Sequence, residues 1–69
     1  MNGFVVAIFT SLLSPEPAGW LAEQDGRLCV VPDRQLAKLF GDKESAWHAA
    51  DGYRYTHSDE IRNFFVEPK

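Results

Sequence analysis

The stretch "GWLAEQDGRLCVV" constrains the fold of this chain more than any other. Asp25-Gly26 is a favoured two-residue type I′ hairpin turn, because both central positions require positive φ and these residue types accept it. Counting outward pairs Gln24 with Arg27, Glu23 with Leu28, Ala22 with Cys29, Leu21 with Val30 and Trp20 with Val31. Side chains alternate across a strand. One face of the hairpin therefore carries Trp20, Ala22, Cys29 and Val31, and the other carries Leu21, Leu28 and Val30.

The segments around the hairpin extend the pattern. "GFVVAIFT" is β-branched and aromatic, bounded by Gly3 and a polar turn, and reads as a central strand apolar on both faces. "SLLSPEPAG" follows as a loop whose prolines forbid regular pairing, with Leu12 and Leu13 as its anchors. "PDRQLAKLF" fits a helical spacing through Leu36, Leu39 and Phe40 and an alternating one through Leu36, Lys38 and Phe40. Gly41-Asp42 ends it, and Asp42 is a good N-cap for a helix over "KESAWHAAD". Ala46, Ala49, Ala50 and Tyr53 then form a narrow apolar stripe that lets the helix lie close to a sheet, with Trp47 at its flank. Gly52 is the expected residue just past the helix end. "IRNFFVE" reads as a strand in preference to a short helix capped by Ser58.

A chain of 69 residues holds one domain with a small core. Disulfides, metals and self-association are the usual supports at this size. Cys29 is the one cysteine, so no intramolecular disulfide forms; within "RLCVV" it reads as a small apolar residue in a reducing, intracellular setting. The net charge of −3, with both signs scattered, lacks the basic stripe of a duplex-binding or membrane-surface protein. The apolar run Phe4 to Leu13 is too short to cross a bilayer, and no lysine or arginine precedes it as in a signal peptide. A soluble, cytoplasmic protein is expected.

"AKLFGDKESAWHAA", taken with "GWLAEQDGRLCVVPD", resembles small bacterial and phage-encoded domains of unknown function over roughly residues 19 to 51. Trp20, the Asp25-Gly26 turn, Ala37, Phe40, Asp42, Glu44, Ala46 and Ala49 match their pattern of tryptophan-containing hairpin, Ala-x-x-Phe strand and capped helix. The resemblance implies a small α+β domain with "LAKLF" as a strand. It carries over no catalytic residue.

"DGYRYTHSDE" concentrates the reactive groups. His48, His57, Asp51, Asp59 and Glu60 have no metal-site spacing. Cys29 is placed mid-strand, where nothing lowers its pKa. The serines have no nucleophile elbow, and adjacent Asp59 and Glu60 diverge on a strand. Neither catalysis, a metal nor a cofactor is expected. Tyr53, Arg54, Tyr55 and His57 offer stacking surfaces for single-stranded nucleic acid, but Asp51, Asp59 and Glu60 flank them and repel phosphates. The bland reading packs Tyr53 into the core and makes the stretch a helix stop and connector.

The expectation is a single α+β domain over residues 1–69, a mostly antiparallel sheet of three or four strands with one helix on one face. Its function is expected to be protein–protein interaction without catalysis, with an unidentified protein partner and self-association as a homodimer both in view. Trp20, Trp47, Tyr53, Arg54, Tyr55 and His57 are the candidate contacts, since Trp, Tyr and Arg dominate interface hot spots. A specific form is a phage or mobile-element accessory protein that blocks a host machine, an anti-CRISPR-type inhibitor included. The alternative is a weak binder of single-stranded nucleic acid.

Overall fold

The computed structural model describes residues 3–11, 15–59 and 61–69. Strands β1 (Phe4–Phe9), β2 (Gly19–Gln24), β3 (Arg27–Val31) and β4 (Asn63–Pro68) form one sheet in the order β3-β2-β1-β4, every neighbouring pair antiparallel. Helix α1 (Lys43–Thr56), the one α-helix among the described residues, packs over β1 and β4. The fold is a small α+β domain, as the alternation of the strands and the alanine stripe require. Among the described residues no helix is long and apolar enough to cross a membrane.

The β2–β3 hairpin has the register that its turn dictates, from Gln24–Arg27 to Trp20–Val31. Asp25 and Gly26 adopt φ of 53° and 77°, the conformation that selects these residue types. β1 lies between β2 and β4, and both of its faces are buried, Val6 and Ile8 on one side and Val5 and Ala7 on the other, in keeping with its apolar character throughout. Val6 and Ile8 point toward the helix and join Leu21, Phe40, Ala46, Ala50, Ile61 and Phe64 in the core. Val5, Val6, Ile8 and Leu21 are completely or almost completely buried, each contributing roughly 1.5–3 kcal/mol by leaving water. Ala46 and Ala50 are fully buried because a methyl group lets the helix backbone approach the sheet. Leu12, Leu13 and Ser14, expected in the proline-containing loop, lie outside the described residues.

"LAKLF" does not form a strand. Asp33 caps a single 3₁₀ turn, Arg34–Leu36, by accepting from the Gln35 N–H at 2.9 Å. The chain then runs as an extended strap. β1 and β2 share ladder positions only at Ala7–Trp20 and Ile8–Gly19, and the strap fills the opening beyond. Lys38 N–H donates to the Leu21 carbonyl at 2.9 Å, and Phe4 and Phe40 exchange backbone bonds of 2.9 and 2.8 Å. The alternating reading of this segment is met only at Phe40, which bridges β1 and buries its ring.

The helix also departs from expectation. It does not end at Gly52 but continues to Thr56, with His57 as its C-cap. Gly52 has ordinary negative φ, so the left-handed conformation that favours glycine at a helix end is absent there. "DGYRYT" is therefore helix, and the connector to β4 is much shorter than the sequence suggests.

Candidate functional site

The lengthened helix decides which of the polar residues meet. Asp42 fixes its start: Oδ1 accepts from the Ser45 N–H at 2.7 Å and Oδ2 from the Ser45 hydroxyl at 3.1 Å. These two bonds, the backbone one foremost, hold the Asp42 carboxyl below its ordinary pKa. From there Ala46, Ala49, Ala50 and Tyr53 turn inward, and Trp47, Asp51, Arg54 and Ser58 fall on one outward stripe at helical spacing. Tyr55 stands beside the stripe, one turn beyond Asp51.

Trp47 is 49% exposed, its ring lying 5.8 Å from Phe64 at 63°. One edge of the indole is thus anchored to the core while the remainder faces solvent. Tyr55 is 86% exposed, so its ring is supported by almost nothing. Asp51, Arg54, Tyr55 and Ser58 line an open depression of about 380 Å³. A carboxylate, a guanidinium, a phenol and a hydroxyl there face outward together. Such a set can form ion pairs, donate and accept hydrogen bonds, and stack.

Tyr53 and His57 do different work. Their rings stack at 4.1 Å and 15°, half-buried at the end of the helix. The His57 N–H donates to the carbonyls of Tyr53 and Arg54, and Thr56 Oγ1 donates to the Tyr53 carbonyl at 3.0 Å. His57 Nδ1 lies 3.0 Å from the same carbonyl. The two residues close the helix, using the last-turn carbonyls that would otherwise lack partners. Tyr53 and Tyr55 also leave the helix on different sides, so they do not flank Arg54 as a pair of stacking platforms.

Trp20 is separated from the other candidates by the sheet itself. It belongs to the face opposite α1, where the Arg34 guanidinium lies 5.4 Å from its ring centroid. Arg34 Nε approaches Glu67 Oε1 at 3.4 Å, and Nη2 donates to the Pro68 carbonyl at 3.1 Å. This clasp shares its face with Val5, which is fully buried on the side of the sheet away from α1. Phe9 and Phe65 form an edge-to-face pair at 5.4 Å on the same side, with Phe65 55% exposed.

The structure therefore brings Trp47, Arg54 and Tyr55 onto one solvent face, assigns Tyr53 and His57 to the helix cap, and isolates Trp20. Reading the sequence misses Asp51 and Ser58 as neighbours of Arg54, because their spacing is meaningful only if the helix continues past Gly52. It also misses Arg34, whose partners lie on two different strands. His48 approaches Glu44 at 3.6 Å, an exposed one-turn pair. Among the described residues no three of His, Cys, Asp and Glu converge as metal ligands, and no polar side chain is buried. Compared with family models, curated proteins and solved structures, the chain matches none of them.

Proposed function

We propose that this protein is a protein–protein interaction module that presents the outer face of α1 to a protein partner. The observation that carries this reading is the joint exposure of Trp47, Arg54 and Tyr55 on a helix whose opposite side is locked to the sheet. An aromatic anchor, a planar cation and a phenol are the side chains that contribute most at protein interfaces. Asp51 and Ser58 beside them supply directional polar contacts. A rigid helix presents them at little ordering cost on binding.

The acidic surface favours a partner with a basic face. An accessory protein of a phage or mobile element that occupies and blocks a host assembly is the narrower form of this reading, supported by small size and charge alone. Recognition of single-stranded nucleic acid has less support. Only one tyrosine of the pair beside Arg54 has a free ring face, and Asp51 adjoins that cation.

The test is capture of a partner by wild type and by the double variant Arg54→Glu/Tyr55→Ala, both checked for an unchanged melting temperature. Loss of a wild-type partner by at least roughly tenfold in Kd is expected, since hot-spot truncations cost about 2 kcal/mol or more each. Undiminished binding by the folded variant removes α1 from the interface. A wild-type complex that instead weakens steeply with salt and contains an oligonucleotide points to nucleic acid.

A further inference from the structure

The two edges of the sheet are not equivalent. Along β4 the Lys69 N–H bonds to the Gly3 carbonyl, and the register from Phe4–Pro68 to Phe9–Asn63 continues from it. In that register Asn63, Phe65 and Glu67 turn their backbone groups toward β1, while Phe64, Val66 and Pro68 turn theirs outward. Three of these six outward positions are closed, while no described residue bonds to the Phe64 carbonyl or to the backbone of Val66. Asn63 Oδ1 accepts from the Phe64 N–H at 2.9 Å, Pro68 has no N–H, and the Pro68 carbonyl accepts from Arg34. Such blocking is how proteins protect an edge from unwanted pairing.

β3 has no such protection. The two-residue turn makes Gln24–Arg27, Ala22–Cys29 and Trp20–Val31 the hydrogen-bonded pairs of the hairpin. Leu28 and Val30 therefore direct N–H and C=O away from the sheet, and no described residue bonds to them. The strand contains no lysine, proline or bulge, and α1 lies over β1 and β4 rather than over this edge. Leu28 is half-buried and Val30 is 39% exposed on the helix side of the sheet.

We infer that the β3 edge pairs with a second copy of itself, antiparallel about a two-fold axis at Cys29. This register sets Leu28 opposite Val30 of the copy and Val30 opposite its Leu28. The outward backbone groups of both strands then satisfy one another, with none left over within the ladder. Leu28 and Val30 from the two chains meet as one apolar cluster on the helix side, covering the exposed part of Val30. The single charge of β3, Arg27, falls at opposite ends of the ladder, whereas a parallel pairing would place the two arginines side by side. The strand is thus complementary to itself in hydrogen bonding and apolar contact, and the antiparallel register keeps its like charges apart. This pairing is separate from the helix face and does not depend on it.

Five residues make a small interface, so dimerisation in the micromolar range is expected. The same geometry makes Cys29 and its copy a non-hydrogen-bonded cross-strand pair, with Cα atoms about 4.5 Å apart, within the range a disulfide spans. Cys29 is free and half-buried. It serves as a reporter of register.

The experiment is sedimentation equilibrium of the reduced protein from about 1 µM to 1 mM, spanning micromolar to millimolar affinities. It is paired with oxidation by diamide, which takes two electrons and two protons from a thiol pair. The mass is expected to rise toward twice 7.8 kDa, and diamide is expected to link the dimer through Cys29. Val30→Pro removes an outward N–H without touching the hairpin ladder, a position where an edge strand tolerates proline. It is expected to raise the dimer Kd by about tenfold or more, equivalent to roughly 1.4 kcal/mol. Val30→Lys, which keeps the N–H and adds like charges to the apolar cluster, is expected to weaken the dimer as well. A monomer throughout the concentration range overturns the inference. So does a dimer that resists diamide linkage, or one unchanged in both folded variants.

Discussion

Gly52 occupies the interior of α1 with nothing within 4 Å of the position a Cβ would take and with no positive φ. Its only effect there is entropic, because glycine gives up more backbone freedom on entering a helix than alanine does. Gly52→Ala is expected to raise stability by about 0.5–1 kcal/mol, read as a higher urea midpoint at unchanged slope. A left-handed glycine at a helix end would give the opposite sign, so the substitution distinguishes the continuing helix from one that stops. The same residue misleads a reader of the sequence. Glycine following an alanine-rich run is a strong stop signal, and only the packing of Tyr53 and His57 beyond it reveals that the run goes on. Tyr53 and Tyr55 illustrate the cost of that error. They look equivalent in "YRY", yet the helical rotation between them gives one a stacked, half-buried ring and the other an almost free one.

At the scale of elements, the start of α1 is more legible than its end, because capping is a local transaction between one side chain and one turn. Asp42, Ser45 and the alanine stripe are close neighbours in sequence, and the structure joins them as the sequence implies. Since the folded state lowers the Asp42 pKa below 3.8, its ionised form stabilises the helix at neutral pH. That contribution is full above the ordinary carboxylate pKa and disappears as pH falls through the lowered value. Asp42→Ala is therefore expected to melt below wild type near pH 7, with the gap narrowing under acid. Asp42→Asn, which keeps an acceptor but not the charge, is expected to start closer to wild type at pH 7 and to show the same narrowing, because the pH dependence belongs to the wild-type carboxylate. Thermal melts by circular dichroism at a series of pH values read both. The strap is less legible. Nothing near residues 36–40 announces that β1 and β2 diverge, so whether that segment forms a strand, a helix or a plug is decided by a gap whose walls are distant in sequence.

Across the whole molecule, Arg34 joins parts that are otherwise independent. One guanidinium meets the indole of β2 and both a side chain and a carbonyl of β4, with the 3₁₀ turn as its base. Arg34→Ala is expected to cost about 0.5–1.5 kcal/mol in urea unfolding, because cation–π and charge-assisted contacts at a half-exposed site are each modest. Arg34→Lys is expected to recover little of this, since an ammonium is a point charge without the planar fork that reaches three partners. The hairpin and the central strand are legible in the sequence because turn chemistry and β-branching are local. The clasp and the open edge are not, because each depends on which strand neighbours which.

The order β3-β2-β1-β4 sets β1 beside a strand drawn from the other end of the chain. The hairpin closes through a turn of two residues, so it can form early and at small entropic cost. The β1–β4 ladder, by contrast, closes a loop of more than fifty residues before any contact within it is rewarded. Pairings so distant in sequence slow folding. On a ribosome, β4 would leave the exit tunnel after β1, β2 and β3, and until it arrived Val6 and Ile8 would lack the neighbours Val66 and Phe64. The nascent chain would present a finished hairpin with an open edge beside an unfinished core, the state in which self-pairing through β3 competes with completion of the fold.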